Sequence, residues 1–217
     1  MLGKLFQLVY PPKCVLCECV LDENTTDLCH ECRKNAPEFS HAKRNIPFVA
    51  HWTSLWYYKG DVRNSIHRFK FYNRRKYAET YARLLAMRLE KDELTDWDLM
   101  TWIPISPVRC FFRGYDQSEL ICKALKAETG KQGCRLLKKT RNTPAQSGIP
   151  DAARRRANVL GAYRIPDQSA LKGKRILLLD DVITTGATAS ECARTLLTAG
   201  AASVTLATVA AARQDKK

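Results

Sequence analysis

Hydrophobic positions divide the chain into two unequal parts. From about residue 46 onward, apolar runs alternate between strand-like and helix-like spacing, the pattern of an α/β domain. Trp52 to Tyr58 has the β-branched and aromatic content of a strand and ends at Gly60. Val62 to Lys91 reads as helical, because Ile66, Phe69, Ala78, Ala82, Leu85 and Leu89 are spaced for one buried face. Asp98 to Ser106 predicts a strand, followed by a loop and then a helix from Ser118 to a cap at Gly130, with Leu120, Ile121, Ala124 and Leu125 on one side. Arg175 to Leu179 is a continuous apolar run ending in acid, as expected of a strand buried on both faces. Thr188 to Gly200 then predicts a helix and Ser203 to Ala210 a final strand. Residues 1–45 differ: they hold five of the nine cysteines, few aliphatics after Leu28, and a polar exit from Pro37 to Asn45. The reading is a small arm over residues 1–45 and an α/β domain over residues 46–217.

Composition narrows the classes. Hydrophobic residues at 45% and charged residues at 27% describe a globular chain and exclude a disordered one. The net charge of +14 favours polyanionic partners such as nucleic acid, phosphorylated metabolites or anionic lipid. The stretch before Pro11-Pro12 has no small-residue cleavage site, so it does not read as a signal peptide. Thr195 to Ala212 has the length of a membrane span, but it is mostly Ala and Thr with Gly200 in the middle, which fits a helix end, a turn and a strand. No membrane span and a cytoplasmic location are expected, and there paired cysteines suggest metal rather than disulfides.

Cys14-Val-Leu-Cys17 and Cys29-His-Glu-Cys32 are two C-x2-C pairs separated by eleven residues. Each pair suits a tight turn with both thiolates on one side, and two such turns enclose a tetrahedral Zn2+. In a segment with so little core the metal would supply most of the folding energy. Cys19 and His30 are spare donors for one corner. A redox dithiol is the alternative, but that motif normally stands singly on a βαβ unit. Cys110, Cys122, Cys134 and Cys192 are scattered, and Cys122 and Cys192 fall on apolar helix faces as core fillers.

The most informative run is Arg175-Ile-Leu-Leu-Leu-Asp-Asp-Val-Ile-Thr-Thr-Gly-Ala-Thr188. A buried strand delivers Asp180 and Asp181 at its C-terminal edge, where open α/β sheets bind ligands. A turn of small and hydroxylated residues leads into a helix whose free amides converge on an anion. Thr188 and Glu191 have capping-box spacing, which would start that helix at Thr188. Carboxylates suit sugar hydroxyls, so a phosphate beside a diol describes a ribose 5-phosphate. The same strand resembles a Walker B segment, but no G-x-x-x-x-G-K-[ST] occurs in the chain.

This run resembles the thirteen-residue 5-phosphoribosyl-1-pyrophosphate (PRPP) signature of type I phosphoribosyltransferases. The resemblance implies that Asp180 and Asp181 hold the ribose hydroxyls, and that Thr184, Thr185, Gly186, Ala187 and Thr188 hold the 5-phosphate. Mg2+ would arrive with the pyrophosphate. Further motifs are Trp102-Ile-Pro-Ile-Ser-Pro107, Arg113-Gly-Tyr-Asp-Gln117, Lys139-Thr-Arg-Asn-Thr-Pro-Ala-Gln146 and Arg156-Ala-Asn158. With the double C-x-x-C arm they resemble the ComF/GntX family, type I phosphoribosyltransferase-like proteins with a zinc-finger arm. Asp116, where Asn is usual, and Gly148, where an aliphatic is common, depart from its pattern. Ser106, Arg113 and Arg141 become the pyrophosphate and loop candidates. The resemblance implies a competence or DNA-utilisation role, handling single-stranded DNA on uptake, alongside other DNA-uptake or recombination proteins. It leaves a catalytic residue unnamed.

Two basic clusters fit such a role. Arg135, Lys138, Lys139, Arg141, Arg154, Arg155 and Arg156 face one acid, Asp151, over twenty-two residues, and the prolines at 144 and 150 predict a loop rather than a helix face. Arg68, Lys70, Arg74, Arg75 and Lys76 interleave with Phe69, Phe71, Tyr72 and Tyr77, as suits single strands, although a helix with one apolar and one solvated face would look the same. Three functions compete: single-strand handling on this scaffold, an active phosphoribosyltransferase of unknown acceptor, and a PRPP-sensing regulator.

Overall fold

The computed structural model describes residues 11–22, 25–40, 44–142 and 152–213. After the first cysteine turn, α1 spans His30–Asn35. Then follow β1 (His51–Tyr57), α2 (Gly60–Phe71), α3 (Tyr77–Lys91), β2 (Leu99–Trp102), α4 (Pro107–Arg113) and α5 (Gln117–Thr129). The chain continues through β3 (Lys138–Lys139), α6 (Ala152–Val159), β4 (Tyr163–Arg164), β5 (Arg175–Ile183), α7 (Ala187–Thr198) and β6 (Ser203–Ala211). Four strands form a parallel sheet in the order β1-β6-β5-β2, and β3 and β4 pair antiparallel.

The central strand β5 is covered on both sides, which explains its unbroken apolar run. Leu177 and Leu179 face a core built with α2, α3 and α5, while Ile176 and Leu178 face a second core with α7. Cys122 and Cys192 are both buried there, as their spacing predicts. Gly130 is the left-handed cap that ends α5.

Three elements differ from the sequence reading. The helix expected over Val62 to Lys91 is broken into α2 and α3, because Asn73 takes a left-handed φ of 53° and turns the chain. The loop expected after β2 contains α4, started by Ser106, whose Oγ accepts from the Arg109 amide at 3.3 Å, and stopped by left-handed Gly114. Residues 152–159 are helical, so Arg154, Arg155 and Arg156 lie on α6 rather than in a loop. Residues 143–151, with the Thr143 to Gln146 motif, Gly148 and Asp151, lie outside the described residues, as do the first ten residues. Among the described residues no helix is long and apolar enough to cross a membrane.

The arm docks on α2 and α3 through its backbone. Ser65 Oγ donates to the Val15 carbonyl, and the Arg68 guanidinium donates to the Leu16 carbonyl. Tyr77 donates to Glu18 at 2.9 Å, and Arg83 pairs with Asp27 at 2.5 Å. Cys14, Val15 and Leu16 are buried in the same core as Phe69, Tyr81 and Leu85.

Candidate ribose-phosphate site and cysteine cluster

The first cysteine pair sits in a hairpin turn, with the Cys14 amide donating to the Cys19 carbonyl at 2.9 Å and Lys13 bridged to Val20. Glu18 takes a left-handed φ of 64°, which folds Cys19 back beside the pair. Ligand atoms of Cys14, Cys17, Cys19 and Cys29 all lie within 4.8 Å of one another. Cys19 joins this group, and the Cys32 thiol lies beside Cys14, Cys17 and Cys29, so five thiols gather in one place. Cys29 is the N-cap of α1, and the Cys32 amide donates to Cys29 Sγ at 3.4 Å. That bond pulls the Cys29 thiol down to about 7, favouring thiolate near neutrality, whereas burial raises Cys14 and Cys32.

A Zn2+ with sulfur at 2.3 Å needs sulfurs about 3.8 Å apart. The Cys17–Cys29 separation is 3.7 Å, so this soft-donor cluster could hold zinc. His30 is exposed and lies 3.8 Å from Asp22 rather than in the thiol group.

At the other end of the core, β5 runs through the acids to Ile183 and ends in the turn Thr184-Thr185-Gly186. Gly186 is the N-cap of α7 with φ 83°, and no side chain caps that helix. The expected capping box is absent, because the N-cap is Gly186, two residues before Thr188, which lies inside the first turn. Glu191 instead accepts from the Gly161 amide at 2.8 Å and pairs with Arg194. The first-turn amides of α7 have no acceptor within the helix, although Ala187 N reaches Thr185 Oγ1 at 3.4 Å. A helix N-terminus without a capping side chain attracts an anion.

Asp180 and Asp181 stand at the head of this turn. Ser118 Oγ donates to Asp180 at 3.1 Å, and Lys70 Nζ donates to buried Asp181 at 2.8 Å. Burial, then the neighbouring Asp181 anion, pushes the Asp180 carboxyl up to about 8. Asp116, the departure from the family pattern, caps α5 by accepting from Ser118 N at 3.1 Å and Glu119 N at 3.3 Å. It also accepts from Ile105 N at 2.9 Å, tying the end of β2 to α5, and burial raises it to about 6.

Two cations here escaped sequence reasoning. Lys70 was grouped with the nucleic-acid candidates, yet it reaches Asp181. Arg44, from the polar exit of the arm, donates to the Thr184 carbonyl, while its buried Nη1 has no hydrogen-bond partner among the described residues. No spacing signal marks Arg44, since the contact joins residues 140 apart in the chain.

The other candidates are scattered. Ser106 is buried at the start of α4, and Arg113 at its end bonds Gln117. Arg141 holds the Leu160 carbonyl at 2.5 Å. Arg68 is engaged by the arm and Glu18, Arg74 pairs with Glu18 at 3.2 Å, and Arg75 holds Asn73 and Gly114. Lys139 is buried 5.3 Å over the Tyr163 ring, and burial lowers its ammonium. Lys138 and Arg154 are exposed, while the side chains of Arg155 and Arg156 lie outside the described ones.

Several known proteins are similar to this chain. Residues 135–217, which include β5, the turn and α7, match the model of the phosphoribosyl transferase domain. The chain is 33% identical over 144 residues to DNA utilization protein YhgH of Escherichia coli O157:H7, an alignment covering 64% of this chain and 62% of that protein. That match spans less than two thirds of the relative's length. Competence protein F of Haemophilus influenzae is 26% identical over 207 residues, covering 85% of this chain and 90% of that one. A solved glutamine PRPP amidotransferase from B. subtilis, complexed with ADP and GMP, superposes with a TM-score of 0.44 at 20% identity, covering 65% of this chain and 30% of that chain. Residues 135–217 thus match a phosphoribosyl transferase domain on a parallel α/β sheet, and the chain as a whole is similar to competence and DNA-utilization proteins.

Proposed function

We propose that the chain is a competence or DNA-utilisation protein that binds PRPP or a related sugar phosphate and handles single-stranded DNA. The observation that carries the first half is the strand–turn–helix at β5 and α7: two acids, then a helix N-terminus whose cap residue is Gly186. On this reading Asp180 and Asp181 receive the ribose hydroxyls. The 5-phosphate sits at Thr184 to Thr188, and Mg2+ enters with the pyrophosphate, near Ser106, Arg113 and Arg141. Arg44 faces the same turn and adds positive charge where the phosphate would bind. The DNA half draws on the names of the relatives and on the net charge of +14. Residues 1–45 act as a zinc-stabilised arm on a domain spanning residues 46–217, in the cytoplasm.

Calorimetric titration of PRPP with Mg2+ tests this on wild type and on the double variant Asp180→Asn/Asp181→Asn, each with and without oligo-dT. The double variant should bind PRPP about tenfold more weakly or worse, as expected for loss of charged hydrogen bonds. Unchanged affinity would overturn the ribose assignment. Single-strand binding should also weaken steeply with added salt, since phosphate contacts release counterions.

A further inference from the structure

We propose that α4, with the end of α2 beside it, is a base-stacking platform for single-stranded DNA. This rests on the single-strand reading above and gives it a surface. Phe111 and Phe112 are 84% and 82% exposed, although each is a large apolar ring on an ordered helix. Their centroids lie 5.7 Å apart with planes at 81°, so the rings present different faces to solvent. Phe71 and Tyr72, at 61% and 64% exposure, extend the aromatic surface.

Contacts join the two segments. The Arg113 guanidinium lies 5.0 Å over the Phe71 ring, and Arg75 lies 4.8 Å over Tyr115 while reaching the Gly114 carbonyl at 3.3 Å. Helix α4 carries Arg109 and Arg113 and no acid.

Charge complementarity selects the occupant. An apolar protein face laid on these rings would have to desolvate the arginines around them. A single strand brings one phosphate and one flat base with every unit, matching cations set between aromatic faces. A duplex keeps its base faces stacked inside and cannot offer them. The platform also borders the candidate ribose site, since Gly114 to Gln117 leads directly to Ser118 and its bond to Asp180.

Fluorescence anisotropy on the full chain tests this with labelled oligo-dT and an abasic strand of equal length. Wild type should prefer oligo-dT. The double variant Phe111→Ala/Phe112→Ala should lose about tenfold or more on oligo-dT and little on the abasic strand. Phe111→Tyr/Phe112→Tyr should retain binding. Because both rings are exposed, thermal melting of the variants should match wild type. If the alanine variant binds oligo-dT as wild type does, the platform is wrong and the DNA reading stands. If wild type binds neither strand, the DNA reading fails and takes the platform with it. Co-sedimentation with phosphatidylglycerol vesicles forms the competing arm: vesicle binding lost in the alanine variant, with oligo-dT binding intact, would assign the rings to a membrane surface instead.

Discussion

At Asp180, burial and the Asp181 anion hold a carboxyl up to about 8, so the folded protein keeps a proton there that the unfolded chain releases near 3.8. Asp116, raised to about 6, behaves alike over a narrower window. A raised carboxyl means that the folded state binds more protons than the unfolded one between those values, so stability falls as pH rises through the window. Thermal melting from about pH 5 to about pH 9 should show that fall in wild type and a flatter profile in Asp180→Asn. Parallel profiles would mean that Asp180 does not carry the slope. Lys70 works in the opposite sense by compensating Asp181. Lys70→Met should leave that carboxylate unpaired and lower stability by about 1–3 kcal/mol in urea unfolding. The acids themselves were legible, because a buried apolar strand ending in Asp-Asp has few readings. Their partners were not: Lys70, Ser118 and Arg44 arrive from elements whose packing no local pattern encodes.

The start of α7 separates two accounts of how a helix is capped. Gly186 sits at φ 83°, and a Cβ there would lie 3.4 Å from Arg44 Nη2 and from two Ile46 carbons. Gly186→Ala should therefore destabilise by about 1–2 kcal/mol from its backbone alone. Thr188 makes no capping bond, so Thr188→Ala should change urea stability by less than about 0.5 kcal/mol, where loss of a true cap would remove about 1 kcal/mol. PRPP affinity should nonetheless fall in Thr188→Ala if its hydroxyl faces the phosphate. Local grammar explains the other differences. Ser106-Pro107 and Gly114 spell a helix start and stop around α4, a signal that the short spacing between them obscures. Asn73 is a turn former inside a helical apolar period that continues on both sides of it. The four parallel strands lie near their expected positions, β5 through its continuous apolar run and β1 through its β-branched and aromatic content.

The arm and the sheet are joined through one of the two cores. Residues of the arm and of the sheet share it, and the arm's carbonyls at Val15 and Leu16 are bound by Ser65 and Arg68 of α2. Colorimetric release should count about one zinc per chain, the value for a single four-thiolate site. Stripping the metal with a chelator should lower the melting temperature of the whole chain, in one transition with the α/β domain. A separate low-temperature step with the main transition unmoved would show that the arm is an independent appendage. Helix α2 makes this connection specific: Arg68, which grips the arm, stands two residues before Lys70, which compensates Asp181. Occupancy of the cysteine cluster and occupancy of the ribose acids thus bear on a single rigid rod, and any free energy coupling them must act equally in both directions. If the proposed zinc and sugar phosphate are both ligands, each would change the other's affinity by the same factor.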